Sequence, residues 1–192
     1  MSERRPTDTV PAQTYLADEV RSPVRREYVG GDAYSMAGAC NAHNQIATNI
    51  LIALGSRLRG GPCRAFNSDT KVRVRLPFEV RFYYPDVTVT CRPNPPEDSY
   101  QDEPMVLIEV ISPTTRRIDQ GEKQLAYTAI ASLGAYVMVE QDAARIVVLR
   151  RGLEGFATEV HAGPTAVVSL PEIGCELPLA EVYDGLELFI DS

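Results

Sequence analysis

One short run, M-V-L-I-E-V-I at residues 105–111, constrains the fold of this chain more than any other feature. It is apolar on both faces apart from one residue, which is typical of a central strand covered on both sides. The exception is Glu109. An ionised carboxylate left unpaired in such a strand costs several kcal/mol, so Glu109 requires either a buried ion pair or a functional role. The residue alone does not decide between the two.

The segments around this strand predict an α/β fold, a mixed β-sheet flanked by helices. Residues 41–58 place apolar side chains at spacings of three and four, as an amphipathic helix does, with Asn41 as its cap. Residues 118–133 predict a second helix, and residues 28–36 predict a hairpin with a glycine pair at its turn. Short β-rich runs predict further strands, including extra strands near both termini, at 63–66, 71–76, 78–84, 86–91, 135–140, 145–149, 156–161 and 166–170.

Length and composition favour a single folded domain. The chain has 192 residues, of which 44% are hydrophobic and 23% charged, as in an ordinary globular domain. Residues 1–22 lack apolar periodicity, so we expect a flexible or surface-bound arm there and one domain over residues 23–192.

Several classes of protein are disfavoured by what the sequence lacks. No segment approaches the ~20 apolar residues that cross a bilayer and the N-terminus is polar, so we expect a cytoplasmic protein without a membrane partner. Four widely spaced cysteines and two histidines predict neither a zinc site nor a disulfide framework. The G-x-S-x-G elbow of serine hydrolases and the P-loop of nucleotide enzymes are both missing.

Two acidic residues are candidates for a metal site. Asp86 follows Pro85 at the start of a predicted strand, although Pro-Asp is also a common turn pair. Together with Glu109 on a neighbouring strand, it would supply the oxygen ligands that Mg²⁺ uses with phosphate substrates. We therefore expect Mg²⁺ or Mn²⁺ as the cofactor.

A third set of polar residues follows on the second predicted helix. Asp119, Lys123 and Tyr127 stand at positions i, i+4 and i+8, so they share one face. Lys123 either forms a solvent-exposed pair with Asp119 or reaches the carboxylates, where its charge would act on a phosphate. Spacing leaves both alternatives open.

Several of these motifs together resemble a known family. The run V-L-I-E-V-I-S-P-T-T-R-R-I-D-Q-G-E-K-Q-L-A-Y, the opening E-Y-V-G-G-D-A-Y-S-M, His43 and the Pro85–Asp86 pair are similar to the bacterial restriction endonucleases of the Uma type, a branch of the PD-(D/E)XK nuclease superfamily. The resemblance spans residues 27–151. It implies a restriction-endonuclease-like fold and metal-dependent hydrolysis of DNA phosphodiester bonds.

The resemblance also implies roles for individual residues. Asp86 and Glu109 would bind the metal, with the Val110 carbonyl completing the ligation. The lysine expected two residues after the glutamate is Ile111 in this chain, so Lys123 is the implied catalytic lysine. Possible supporting residues are His43, Asp69, Ser112, Asp119 and Tyr127.

For two of the supporting residues the sequence leaves a structural alternative open. Asp69 is either a third carboxylate of the site or, the preferred reading, an aspartate that caps a loop. His43 lies near the site or is a hydrogen-bonded histidine of the core.

Charge and hydropathy bear on the partners. A net charge of −7 argues against indiscriminate coating of nucleic acid, but residues 1–81 carry +4 and residues 82–192 carry −11, so a basic face for DNA remains open. Apolar stretches at 166–170 and 186–190 favour a homodimer. The alternative function is a catalytically inactive PD-(D/E)XK fold that serves as a nucleic-acid-binding or assembly module.

Overall fold

The structure is a computed structural model and describes residues 9–36, 38–113 and 115–187. Its helices are α1 (Ala12–Glu19), α2 (Asn41–Arg57), α3 (Arg116–Ile118), α4 (Gln124–Thr128) and α5 (Leu179–Val182), with a π-helical turn at Asp119–Lys123. Its strands are β1 (Arg26–Val29), β2 (Asp32–Ser35), β3 (Arg64–Asn67), β4 (Lys71–Arg75), β5 (Val80–Tyr83), β6 (Val87–Thr90), β7 (Tyr100–Gln101), β8 (Pro104–Ile111), β9 (Ala135–Glu140), β10 (Arg145–Gly152), β11 (Gly155–Ala162), β12 (Val167–Leu170) and β13 (Cys175–Pro178).

The apolar strand β8 lies inside a six-stranded mixed sheet, as its sequence predicts. The strand order is β11-β10-β9-β8-β6-β3. β8 pairs with β9 in parallel and with β6 in antiparallel orientation, so its backbone is bonded on both sides. This position explains why β8 carries apolar side chains on both faces.

A second sheet and a separate hairpin complete the architecture. The second sheet has five strands in the order β2-β1-β5-β4-β7, and β12 pairs with β13 alone. The β1–β2 hairpin turns at Gly30 and Gly31, whose φ angles of 57° and 104° favour glycine. This confirms the predicted hairpin and the extra strands near both termini.

Residues of β8 alternate between two buried layers. Val106, Ile108 and Val110 belong to a cluster with residues of α2, β12, β13 and α5. Leu107 and Ile111 belong to a second cluster on the opposite face, which includes residues of α4, β4 and β5. Each fully buried aliphatic side chain contributes about 1.5–3 kcal/mol, so both layers hold β8 firmly. Glu109 shares the face of Leu107 and Ile111.

Helix α2 confirms the periodicity seen in the sequence but begins differently from the prediction. Its buried side chains include Ile46, Ile50 and Leu54, at the expected spacings. The cap residue is Cys40 rather than Asn41, and no side chain bonds to the first turn.

The second predicted helix is shorter and less regular than expected. Instead of one helix over residues 118–133, the chain forms α3, the π-helical turn and α4, and helical structure ends at Thr128. After α4, the amide of Gly134 donates to the carbonyl of Met105 at 2.9 Å, which joins this segment to β8. Tertiary contacts of this kind override local helix preference.

The N-terminal arm contains a helix that its sequence did not predict. Tyr15 of α1 is 2% exposed and packs against the rings of Tyr28 and Phe82. Its hydroxyl also donates to the carbonyl of Arg26. Ala12 and Leu16 are partly buried in the same cluster. With eight residues, α1 is too short for an amphipathic pattern to be recognised.

The cysteines depart from the sequence prediction at one pair. Cys63 and Cys91, which flank β3 and β6, form a disulfide across 28 positions of sequence. Cys40 is exposed and Cys175 is buried, and both are free. Spacing along the chain could not indicate that Cys63 and Cys91 face each other on adjacent strands.

None of the helices in the described residues has both the length and the apolar character that a membrane span requires.

Candidate active site

Glu109 lies at the centre of a buried polar cluster. The residue is 4% exposed, and its Oε1 atom accepts hydrogen bonds from Lys123 Nζ at 3.0 Å and Tyr127 Oη at 2.9 Å. The strand periodicity of β8 turns it toward α4 and the second sheet, where these donors approach. The sequence left open whether Glu109 has an ion-pair partner, and Lys123 is that partner.

Lys123 is surrounded by three carboxylates. Its Nζ atom lies 3.0 Å from Glu109 Oε1, 3.0 Å from Glu27 Oε1 and 3.6 Å from Asp119 Oδ1. An ammonium group has three N–H donors, so each can point to one acid. Lys123 is 7% exposed, which excludes the solvent-exposed Asp–Lys pair that the sequence allowed.

The π-helical turn sets the direction of this lysine. It covers Asp119–Lys123, and both end residues are buried and face the same cluster. The Asp119 carbonyl also accepts a hydrogen bond from the buried Tyr136 hydroxyl at 3.1 Å, which ties the start of the turn to β9. Single π-helical turns are frequent at functional sites because they redirect side chains within a helix.

Asp86 approaches the end of β8 from the neighbouring strand. Its Oδ2 atom accepts the Val110 amide at 2.8 Å and lies 3.3 Å from Nε2 of His43. Pro85 precedes it directly and fixes the backbone where β6 begins. Asp86 is therefore held by both the β8 backbone and helix α2.

His43 comes from the first turn of α2 and is a direct neighbour of Asp86. Burial lowers its pKa, but the hydrogen bond and charge of Asp86, the charge of Asp119 and the Val110 carbonyl together leave the pKa above its ordinary value. Nδ1 of the ring is buried without a partner among the described residues. The structure thus places His43 beside the carboxylates, the first of its two alternatives.

The remaining candidates divide between the cluster and the surface. Ser112 caps the turn that leads into α3, since its Oγ accepts the Thr115 amide at 3.2 Å and its carbonyl accepts the Arg116 amide at 3.0 Å. Asp69 lies in the turn between β3 and β4 and pairs with Arg25 at 3.1 Å. Asp69 is exposed and does not join the buried cluster, so the third acid is not supplied from this turn.

Two arginines of the five-stranded sheet, Arg73 and Arg81, bind acidic side chains of the protein itself. Arg73 binds both carboxylate oxygens of Asp102 at 2.6 Å. Arg81 pairs with Glu79 and donates to Tyr83 Oη at 3.1 Å. These partners reduce the charge available to phosphates at this surface.

The cluster carries an excess of negative charge. Four carboxylates, from Glu27, Asp86, Glu109 and Asp119, share the single ammonium of Lys123 and the imidazole of His43. Burial raises the pKa of Glu109 well above its usual range, since the opposing effect of Lys123 is smaller and the other carboxylates add to the rise. Burial also raises the pKa of Asp119. Such a cluster favours either protons or a bound cation.

The cluster leaves few oxygen atoms free for a metal ion. Glu109 Oε2 and Asp86 Oδ1 accept no hydrogen bond within the described residues. Val110 directly follows Glu109 and donates its amide to Asp86, so its backbone adjoins both side chains. The described residues contain no group of three or more His, Cys, Asp or Glu side chains arranged to hold a metal by themselves. Mg²⁺ is usually bound by only one or two carboxylates, with waters and substrate phosphates as the other ligands.

Glu27 is the member of the cluster that the sequence did not single out. It lies in β1, and its Oε1 atom accepts the Tyr84 amide at 3.3 Å in addition to contacting Lys123. The available signal was its position as the first letter of the matched run E-Y-V-G-G. A glutamate in a short strand is otherwise an ordinary solvent-facing residue.

Comparisons with known proteins find a matching family model and two similar proteins. Residues 12–180 match the family model Uma2, described as "Putative restriction endonuclease". The Synechocystis protein named "Uncharacterized protein slr1290" is 27% identical over 186 residues, covering 96% of this chain and 97% of that protein. A second Synechocystis protein, sll1609, is 26% identical over 143 residues, covering 73% and 80%.

A solved structure supports the fold. The crystal structure of "a putative nuclease belonging to DUF820" from Anabaena variabilis superposes with a TM-score of 0.67 and 18% identity, covering 87% of this chain and 96% of that one. The restriction-endonuclease-like mixed sheet flanked by helices, predicted from the sequence, is confirmed.

Proposed function

This chain belongs to the Uma2 family of restriction-endonuclease-like proteins, and we propose that it is a metal-dependent endonuclease that hydrolyses DNA phosphodiester bonds. The observation that carries the proposal is the buried cluster in which Asp86, Glu109 and Lys123 meet. Four carboxylates share one ammonium and one imidazole, which leaves a surplus negative charge that a divalent cation would balance. Structural ion pairs alone do not require such a surplus.

Asp86, Glu109 and the Val110 carbonyl are the groups that would hold the ion. When bound, Mg²⁺ or Mn²⁺ supplies Lewis acidity and neutralises charge on the phosphate. Val110 also donates its amide to Asp86, so the same residue fixes one carboxylate and offers its carbonyl. His43 holds Asp86 from the other side through Nε2.

Lys123 supplies the positive charge that the sheet itself does not carry. Position 111 is a fully buried isoleucine packed in the apolar layer with Leu107 and Tyr136. Lys123 enters from the π-helical turn instead and reaches the same carboxylate. Its charge would orient the attacking water and stabilise the phosphate in the transition state.

Cleavage of supercoiled and linear plasmid tests the proposal. We expect cutting with Mg²⁺ or Mn²⁺, none with EDTA, and its loss in Asp86→Ala, Glu109→Ala and Lys123→Ala. The matched control is Asp69→Ala, which removes a surface carboxylate outside the cluster and should cut like the wild type. Cutting retained in any of the three cluster variants would remove that residue from the mechanism.

A catalytically inactive binding or assembly module is the second candidate. It is favoured by one observation, the engagement of Glu109 Oε1 and Asp86 Oδ2 by protein donors. Calorimetric titration with Mg²⁺ separates the two. An inactive module would show neither Glu109-dependent Mg²⁺ binding nor cleavage of any plasmid.

The homodimer remains a separate proposal, and the structure removes one of the two apolar stretches that favoured it. Val168 and Leu170 of the apolar tail are fully buried against the chain's own core, so they are not available to a second copy. Residues 188–190 of the other stretch lie outside the described residues. Sedimentation at micromolar concentration tests the dimer, and fractionation of cells tests the predicted cytoplasmic localisation.

A further inference from the structure

We propose that Glu27 is a positioning residue that holds the Lys123 ammonium at a fixed point between the acids of the cluster. The inference rests on the proposed nuclease function, in which Lys123 acts on the phosphate. Glu27 would not touch the substrate. It would act through the lysine, by fixing the position of the ammonium group.

The contacts of Lys123 support this role. Glu27 Oε1 and Glu109 Oε1 are each 3.0 Å from Nζ, on residues that belong to different sheets. The third acid, Asp119, is more distant at 3.6 Å and lies on the same turn as the lysine. The ammonium therefore lies between β1 and β8, and its attraction to Glu27 balances its attraction to Glu109.

Glu27 is held in place by contacts that do not involve Lys123. The Tyr84 amide donates to its Oε1 at 3.3 Å. Strand β1 is also paired on both sides, with β2 and with β5. A carboxylate fixed by this much backbone structure can set the position of a flexible side chain.

The consequence concerns Glu109. Without Glu27, the nearest acceptors left to Lys123 are Glu109 and Asp119, so the ammonium would lean toward the carboxylate that the proposed metal site needs. Glu27 therefore keeps the lysine available to the phosphate and Glu109 available to the cation. Supporting groups of this kind commonly change activity by about 10–100-fold when they are removed.

The test compares Glu27→Gln with the matched control Glu19→Gln. Both glutamates are largely buried and both anchor β1, but only Glu27 contacts Lys123. In plasmid cleavage we expect Glu27→Gln to lower kcat about 10–100-fold with KM unchanged within about twofold. Glu19→Gln should leave both parameters near the wild type. Equal losses in the two variants would reduce Glu27 to a structural anchor and overturn the proposal.

A second readout does not require cleavage. The chain has only two lysines, Lys71 and Lys123, so the ammonium signals of ¹⁵N-labelled protein are few and are assigned with Lys71→Arg. We expect a protected Lys123 signal in the wild type and in Glu19→Gln, and its loss through fast exchange in Glu27→Gln. An unchanged Lys123 signal in Glu27→Gln overturns the proposal. If the wild type cuts no DNA, the proposed function fails while this signal still decides the position of Lys123.

Discussion

Glu109 shows how one buried side chain can be both a structural and a functional residue. It accepts two hydrogen bonds through Oε1 and leaves Oε2 without a donor among the described residues. Donors on one oxygen stabilise the carboxylate, whereas the free oxygen remains available to a cation. One carboxylate can therefore be the ion-pair partner of a lysine and still offer an oxygen to a metal ion.

The pKa of Glu109 predicts how stability depends on pH. Burial holds this pKa well above its ordinary 4.5, so between 4.5 and the higher value the folded protein keeps a proton that the unfolded chain loses. The contribution of Glu109 to the free energy of unfolding therefore falls as pH rises through that window. Glu109→Gln removes this contribution, and its stability relative to the wild type should increase with pH.

Urea denaturation over a pH series in EDTA measures this difference. Carboxylates whose pKa is lowered, such as Asp102, act in the opposite direction but are present in both proteins and cancel. A difference between Glu109→Gln and the wild type that stays constant with pH would contradict the prediction.

At the scale of elements, the π-helical turn is the feature that the sequence could not predict. The residue types of positions 119–128 are compatible with a regular helix, and the polar stripe was visible in their spacing. The turn depends on contacts with distant elements, including Tyr136 of β9. The stripe therefore indicated which residues converge, but the backbone that directs them follows from tertiary structure.

Gly121 in this turn is a site for stabilisation. A Cβ added there meets nothing within 4 Å, so Gly121→Ala should raise the free energy of unfolding by about 0.5–1 kcal/mol through its effect on the unfolded chain. The contrasting variant is Gly60→Ala, because the φ of Gly60 is 82° and alanine there should destabilise by about 1–2 kcal/mol. Urea denaturation measures both, and a Gly121→Ala variant less stable than the wild type would contradict the prediction.

The disulfide between the ends of β3 and β6 gives a second prediction for elements. Cys63→Ala/Cys91→Ala should lower the free energy of unfolding by about 2–4 kcal/mol, because the link restricts the unfolded chain. Denaturation with and without a reductant measures it, and the difference should vanish when the wild type is reduced. Cys175→Ala, at a free and buried cysteine, serves as a control without a cross-link.

The whole molecule brings the site together from separate parts. Glu27 comes from the five-stranded sheet, Glu109 from the six-stranded sheet, Lys123 from the π-helical turn and His43 from α2. The sequence predicted the strand of Glu109, because its apolar pattern is a local signal. Spacing left the approach of Lys123 to the carboxylates open, and only the resemblance to the Uma type implied it. The sequence missed Glu27 and the Cys63–Cys91 pair, because both depend on which strands become neighbours.

Binding of Mg²⁺ should stabilise the whole fold through this cluster. A ligand at 100 times its Kd that binds only the folded state adds about 2.7 kcal/mol to the free energy of unfolding. We expect Mg²⁺ to raise the Tm of the wild type and of Asp69→Ala, but not that of Glu109→Ala. A rise of equal size in all three proteins would place the ion elsewhere.

Both lysines are shielded in the folded protein, Lys71 at 5% exposure and Lys123 at 7%, whereas the other basic side chains are arginines and histidines. Amine-selective acylating reagents therefore find no accessible ε-amino group on the native molecule. The rate at which Lys123 is acylated therefore reports how often the buried cluster opens to solvent.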